Sequence, residues 1–355
     1  MREFRAVLAT ATAGLALCTS QAFAEIPEID SSGWSADPTE YGMTAKEYIQ
    51  AESRAFMADF IDRVGVNTFH HFPGLSTADD KFVVSPNNDT IYSLATVNAS
   101  EGFTLTLPEV DDRFLSAQII TENHMTPFYL YGGGTYTFDA DQVGTDHVTV
   151  GVRMGTDGTA EDVAYVTEKL QPQYAVADAQ DVDDLERPDL ETMKKVRQAM
   201  LVEYSKLDDT FDTMRKSTDE VDDWERFTYV TAGAWGLSAD ENAMYKPYAL
   251  ASVKGGDCYV ATYPPVPVEG FFSITVYGPE KYLMSNEDNI VSSNRDIDMN
   301  DDGSFTVAFG AEECRALAPN YAYTPEDGWS LLLRAYRPDV EAFKSYEMPD
   351  LEKKS

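Results

Sequence analysis

The sequence predicts a mainly β protein with helical insertions, an α+β chain built in two parts. Three observations carry this reading. Apolar and polar residues alternate in two separate blocks, roughly 80–155 and 258–338, the period-two pattern of half-buried strands. Between the blocks lies a more acidic stretch rich in helix formers. The chain has 355 residues, more than one small core uses. Strands come in runs, with no regular alternation with helices, so sandwiches or barrels fit better than a parallel sheet.

Residues 1–24 read as a signal peptide. Arg2 and Arg5 give a positive start, Ala6 to Leu17 is apolar, and Ala22-Phe23-Ala24 fits a cleavage site. Cys18 raises a lipoprotein signal, but Leu17 stands where lipid attachment favours a small residue. Cleavage after Ala24 is expected, with a periplasmic or secreted product. Residues 25–43 form an extended leader. Thr44 followed by Glu47 makes a capping box and opens a helix over 44–62, with Tyr48, Ala51, Ala55 and Ala58 at helical spacing. With the strands that follow, it completes an N-terminal domain of 44–157. The clearest strand patterns there are Phe103 to Leu107, Leu115 to Ile119 and Val148 to Val152, and Gly132-Gly133-Gly134 marks a turn.

Residues 158–250 form an acidic helical connector, with helices expected over Asp189–Arg215 and Asp222–Leu237 and a third starting within Asp240–Tyr245. Residues 251–340 make a C-terminal β domain, with strands at Phe272 to Val276, Phe305 to Phe309 and Trp329 to Ala335. Residues 341–355 are a charged tail.

Charge excludes several function classes. Lys+Arg number 27 against Asp+Glu 61, a net charge of −34. Subtracting Arg2, Arg5 and Glu3 leaves 25 basic and 60 acidic residues, so the chain without its leader carries −35. Nucleic acids and anionic membrane surfaces need a basic face. No later stretch is apolar and long enough to span a bilayer, so the protein is not expected to be membrane-embedded. Such acidity suits a saline habitat, where salt mutes self-repulsion. Cys258 and Cys314 are the cysteines left in an oxidising compartment. They read either as a disulfide worth on the order of 4 kcal/mol or as two buried thiols.

The run Val84-Ser85-Pro86-Asn87-Asn88-Asp89-Thr90-Ile91-Tyr92-Ser93 gathers short polar side chains at a strand entrance. Such a cluster orients a polar ligand or a cation, or makes a turn by bonding its own backbone. A Zn2+ site from His71, His124 and Asp89 requires the fold to bring them together. Asp298, Asn300, Asp302 and Gly303 begin like a Ca2+ loop, but Phe309 stands where an EF-hand needs Glu; an Asp-Gly hairpin turn is the better reading, and a Ca2+ site of another type is the alternative. No cofactor is predicted. No nucleophile elbow and no phosphate-binding Gly-rich loop with Lys occurs. The 20 tyrosines suit an aromatic, hydrogen-bonding pocket.

The run at Pro86, Asn87, Asp89, Thr90, Tyr92 and Ser93 resembles the hallmark of a bacterial domain of unknown function, number 1254. Arg113-Phe114, Gln118 and Phe128 to Gly132 are similar to its following strands. The C-terminal half resembles domain of unknown function 1214. The residues concerned are Trp235-Gly236-Leu237, Tyr245, Phe272 to Tyr277, Asn286, Asp302-Gly303-Ser304 and Leu333 to Pro338. The sequence departs from that pattern at Asn320 to Tyr323, where members carry an Asn-Trp-Leu-Pro type run, and at Phe272, where Trp is common. The resemblance implies two jelly-roll-like antiparallel β-sandwich domains bridged by helices, in a homo-oligomer. It implies no reaction.

Two functional readings follow. One is a binding or structural module that holds a small polar or carbohydrate-like molecule through Asn87, Asn88, Asp89, Thr90, Tyr92, Arg113 and Arg334. The alternative is a hydrolase or lyase, with Asp89 as general acid/base, Arg113 holding an anionic group, and Tyr92 or His124 assisting. It requires these four side chains to converge.

Overall fold

The computed structural model describes residues 25–81, 84–249 and 252–354. The signal-peptide reading of 1–24 lies outside them. Helix α1 (Ala45–Val64) starts where the capping box places it, with Thr44 and Glu47 bonding each other's backbone N–H. Its buried stripe includes Tyr48, Ile49, Ala51, Met57 and Phe60, shifted from Ala55 and Ala58 towards the larger side chains.

The first half continues with β1 (His70–His71), β2 (Thr90–Asn98), β3 (Phe103–Leu107), β4 (Leu115–Thr121), β5 (Phe128–Tyr131), β6 (Gly134–Phe138), β7 (His147–Gly155) and β8 (Ala175–Ala177). They form a five-stranded sheet, β1-β2-β7-β4-β5, and a three-stranded one, β6-β3-β8, with every pairing antiparallel. Ile91, Val97, Leu105, Val150 and Val152 fill the space between the two sheets. Fully burying each such side chain is worth about 1.5–3 kcal/mol. The short β8, inside the stretch expected as helical connector, pairs with β3.

Helices α2 (Leu190–Tyr204) and α3 (Trp224–Gly233) pack with α1. The bidentate contact of Arg197 with buried Glu52 ties α2 to α1. Both helices are shorter than the sequence pattern suggests. Beyond Tyr204, Asp209 bonds its side chain to the Phe211 N–H and to Arg226, an alternative to helical bonding.

The second half contains β9 (Ala243–Ala249), β10 (Cys258–Tyr263), β11 (Phe272–Tyr277), β12 (Ile290–Ser292), β13 (Phe305–Gly310), β14 (Asn320–Tyr323), β15 (Ser330–Tyr336) and β16 (Glu352–Lys354). Two four-stranded sheets, β14-β13-β10-β16 and β12-β11-β15-β9, sandwich a core that includes Phe272, Ile274, Phe305, Trp329 and Leu333. One pair, β13 with β14, is parallel. The fold is thus mainly antiparallel β with helical insertions, and no sheet closes into a barrel.

The expected third helix at Asp240–Tyr245 is replaced by β9. Tyr245 lies opposite Arg334, and pairing along β15 outweighs the weak local helical pattern. Cys258 and Cys314 are joined by a disulfide. The Asp298–Gly303 stretch is a tight turn in which the Asp302 carboxylate accepts from the Ser304 N–H and hydroxyl. It is not a hairpin, because β13 pairs with β10 and β14 rather than with β12. Among the described residues no helix is long and apolar enough to cross a membrane.

Candidate functional site

The central strands are buried on both faces. Every residue of β4 and of β11 is buried, the polar alternates included. Ser273, Thr275 and Tyr277 of β11 therefore face protein, as do Arg334 and Tyr336 of β15. What covers them is the Ser85–Asp89 segment of the first half.

Asp89 is 1% exposed, and its carboxylate accepts three hydroxyls. Ser273 donates to Oδ2 at 2.7 Å, Tyr336 to Oδ2 at 3.0 Å, and Ser292 to Oδ1 at 3.2 Å. The Asn87 amide donates to the Tyr336 hydroxyl, while its Oδ1 accepts the Asp89 N–H at 2.7 Å in an Asx turn. Asn88 donates to Asn289 at 2.8 Å, and its carbonyl accepts from Arg295 at 2.6 Å. Burial, and then the Asp89 charge, push the Tyr336 phenol well above the usual tyrosine range.

Arg334 organises the other side of the segment. It donates to Thr275 at 2.9 Å, to the Tyr277 hydroxyl at 2.7 Å and to the Ser85 carbonyl at 2.8 Å. Tyr277 in turn donates to the Pro86 carbonyl at 2.8 Å. Ser85 adopts a left-handed φ of 50°, held by its N–H bond to the Lys281 carbonyl at 2.7 Å. The polar run is thus a clasp, and the second half supplies almost all of its partners.

The structure brings Asn87, Asn88, Asp89 and Arg334 to this one seam. Thr90 follows as the first residue of β2, buried, with no partner for its hydroxyl among the described residues. Tyr92 lies on the adjoining part of β2, with the Arg153 guanidinium 5.5 Å from its ring.

Arg113 is engaged elsewhere. It grips Asp162 with two nitrogens, at 2.8 and 2.5 Å, and donates to the Gly155 carbonyl. The Arg113 hydrogen bonds hold the Asp162 carboxyl down at about 2. His124 is buried against Trp235, with ring planes 7° apart. Its Nε2 accepts the Gly236 N–H at 2.8 Å, so Nδ1 carries the proton and donates to Thr231 at 2.9 Å. Burial lowers its pKa to about 3. His71 bonds Ser93 at 2.8 Å. Each of Arg113, His71 and His124 therefore has partners of its own away from Asp89. Among the described residues no three His, Cys, Asp or Glu side chains are placed to hold a metal ion.

Sequence reasoning missed Ser273, Ser292 and Tyr336 as partners of Asp89, and it missed Arg153. The available signal was an arginine inside the Val148-to-Met154 strand run, a place where a charged side chain needs a reason.

A model of the family described as protein of unknown function (DUF1254) matches residues 66–178, and one described as protein of unknown function (DUF1214) matches 249–340. No curated protein matches the chain. A crystal structure of the VPA0106 protein from Vibrio parahaemolyticus is similar over 90% of this chain and 100% of its own, with TM-score 0.70 and 17% identity. A crystal structure of an uncharacterised protein from Burkholderia cenocepacia covers 87% of each chain at TM-score 0.52 and 13% identity. At such identities the likeness speaks for the fold alone.

Proposed function

The chain pairs a DUF1254 domain with a DUF1214 domain, and on that basis we propose that it is an exported binding protein whose two β halves meet around a small polar ligand. One observation carries the reading. The clasp residues of the seam are spent on one another, while the adjoining tyrosines stay open to solvent. Tyr92, Tyr129 and Tyr245 are half-buried and Tyr131 is exposed. The Tyr131 hydroxyl donates to Asn242 at 3.1 Å and Tyr129 reaches Ser116 at 3.4 Å, whereas the Tyr92 and Tyr245 hydroxyls bond no described residue. Aromatic rings with such hydroxyls beside a rigid polar floor suit a small hydrogen-bonding ligand. In this reading Asn87, Asn88, Asp89 and Arg334 are structural members that build the floor.

A thermal-shift screen of sugars, polyols, small acids and amines tests it. A ligand present at 100 times its Kd should stabilise the protein by about 2.7 kcal/mol. If no class moves the melting temperature, the reading fails. Gel filtration of the same material reads the oligomer that the resemblance implies.

A further inference from the structure

Strand β7 carries a charge that the fold leaves without a counter-ion. Arg153 is 9% exposed, yet no carboxylate among the described residues pairs with it. Its one hydrogen bond is a long one, 3.5 Å to the Ser238 hydroxyl. Arg334, the other buried arginine among the described residues, makes four hydrogen bonds. A desolvated guanidinium with spare donors is costly unless something pairs with it.

Its surroundings are chemically specific. Tyr92, Arg153, Ser116 and Tyr131 form one row across the sheet. The Tyr92 ring lies 5.5 Å from the guanidinium, and Tyr129, Tyr245 and Tyr336 lie within electrostatic reach of it. The Tyr92 and Tyr245 hydroxyls bond no described residue, and Tyr129 reaches Ser116 only at 3.4 Å. On the same face, next to Arg153, stands Gly151. A Cβ added there would meet Leu94 at 3.4 Å and the Gln118 carbonyl at 3.9 Å, ordinary contacts with no clash, so the absent side chain leaves this position of the face uncrowded.

We propose that Arg153 anchors the negative group of the ligand, and that the ligand is a small organic monocarboxylate. The carboxylate takes the guanidinium fork and the tyrosine hydroxyls, and the tyrosine rings hold an apolar body. One unpaired cation neutralises one charge. A net charge of −34 on the chain, with the Asp89 carboxylate bonded to Tyr336 in the adjoining seam, works against dianions. This inference rests on the binding reading above and names the ligand class.

The test is calorimetric titration of the purified protein with benzoate, acetate, inorganic phosphate and sulfate at constant ionic strength. Benzoate is expected to bind at one site, at least tenfold more tightly than phosphate or sulfate. Arg153→Gln should weaken it at least tenfold and leave the ligand-free melting temperature unchanged or higher, because an unpaired buried charge is removed. A purely structural arginine would instead lower the melting temperature. Tyr245→Phe keeps the ring and removes one donor, and should weaken benzoate several-fold, so the idea remains testable if Arg153→Gln does not fold. Tighter binding of phosphate or sulfate, unchanged affinity in both variants, or no binding of any of the four overturns the inference. If a neutral sugar or polyol shifts the melting while the four acids do not, only the ligand class falls. If nothing shifts it, the binding reading falls as well.

Discussion

Asp89 and Ser273 stand 184 residues apart and share a 2.7 Å hydrogen bond in a buried seam. Each belongs to a different family domain, so the bond joins the two halves directly. The same carboxylate also holds Ser292 and Tyr336. Removing it strands three buried hydroxyls. Asp89→Ala is expected to cost about 2–4 kcal/mol, since each unsatisfied buried group costs roughly 1–3 and neighbours relax in part. Ser273→Ala, which leaves the carboxylate two donors, should cost only about 1 kcal/mol. Urea denaturation of both variants checks the ranking. Equal midpoints would contradict it.

Acid should weaken the fold through His124. Its ring is locked neutral because Nε2 already accepts from Gly236. Its folded pKa is about 3, against an unfolded value of about 6.5. The folded value is the lower one, so this stabilisation is full above about pH 6.5 and is lost as pH falls towards 3. The loss is on the order of 5 kcal/mol. Asn tolerates the left-handed backbone at this position, where φ is 60°. His124→Asn should start less stable at pH 7 and show a flatter decline below pH 6. Parallel slopes for the two proteins would contradict the assignment.

Reduction should destabilise the second half. The Cys258–Cys314 bond spans a sequence separation of 56, and closing such a loop is worth on the order of 4 kcal/mol in the chain-entropy account. Melting with and without a thiol reductant should separate clearly, and the double variant Cys258→Ser with Cys314→Ser should melt like the reduced protein. No difference between oxidised and reduced melts would refute the estimate.

Salt should stabilise the protein. With 61 acidic and 27 basic residues, self-repulsion opposes the compact state. The Debye length is about 30 Å at 0.01 M and about 3 Å at 1 M. The melting temperature is expected to rise over that range of sodium chloride. A flat profile would show that the carboxylates are already neutralised by local ion pairs.

Much of the architecture was legible because period-two runs and a capping box are local signals. The strands around Phe103, Val150, Ile274, Phe305 and Leu333 appear where alternation places them, and α1 starts at its capping box. The site was half legible. Asn87 to Asp89 stood out by composition, but their partners arise from pairing between distant strands. Alternation also misled in one respect: Ser273 and Thr275 read as solvent-facing because they are polar, whereas both faces of β11 are buried. Asp240–Tyr245 looked like a helix start because nothing local reveals that β15 needs a neighbour. Arg113 looked like a free cation because Asp162, its partner, lies 49 residues along.

The clasp also imposes an order of assembly. Residues Ser85 to Asp89 leave the ribosome 184 to 249 residues before the groups that bind them. At about 5–20 residues per second, that interval lasts roughly 10–50 seconds. Through that interval the first sandwich can bury Ile91 and Val150, but Asp89 and Arg153 stay hydrated and the sheet face around them stays wet. The seam closes only when the second half supplies its partners, and that closure dries it. A fragment ending before Phe272 would therefore keep its first core and carry an open polar sheet face. Production of the intact protein depends on the second sandwich arriving before that face finds another partner.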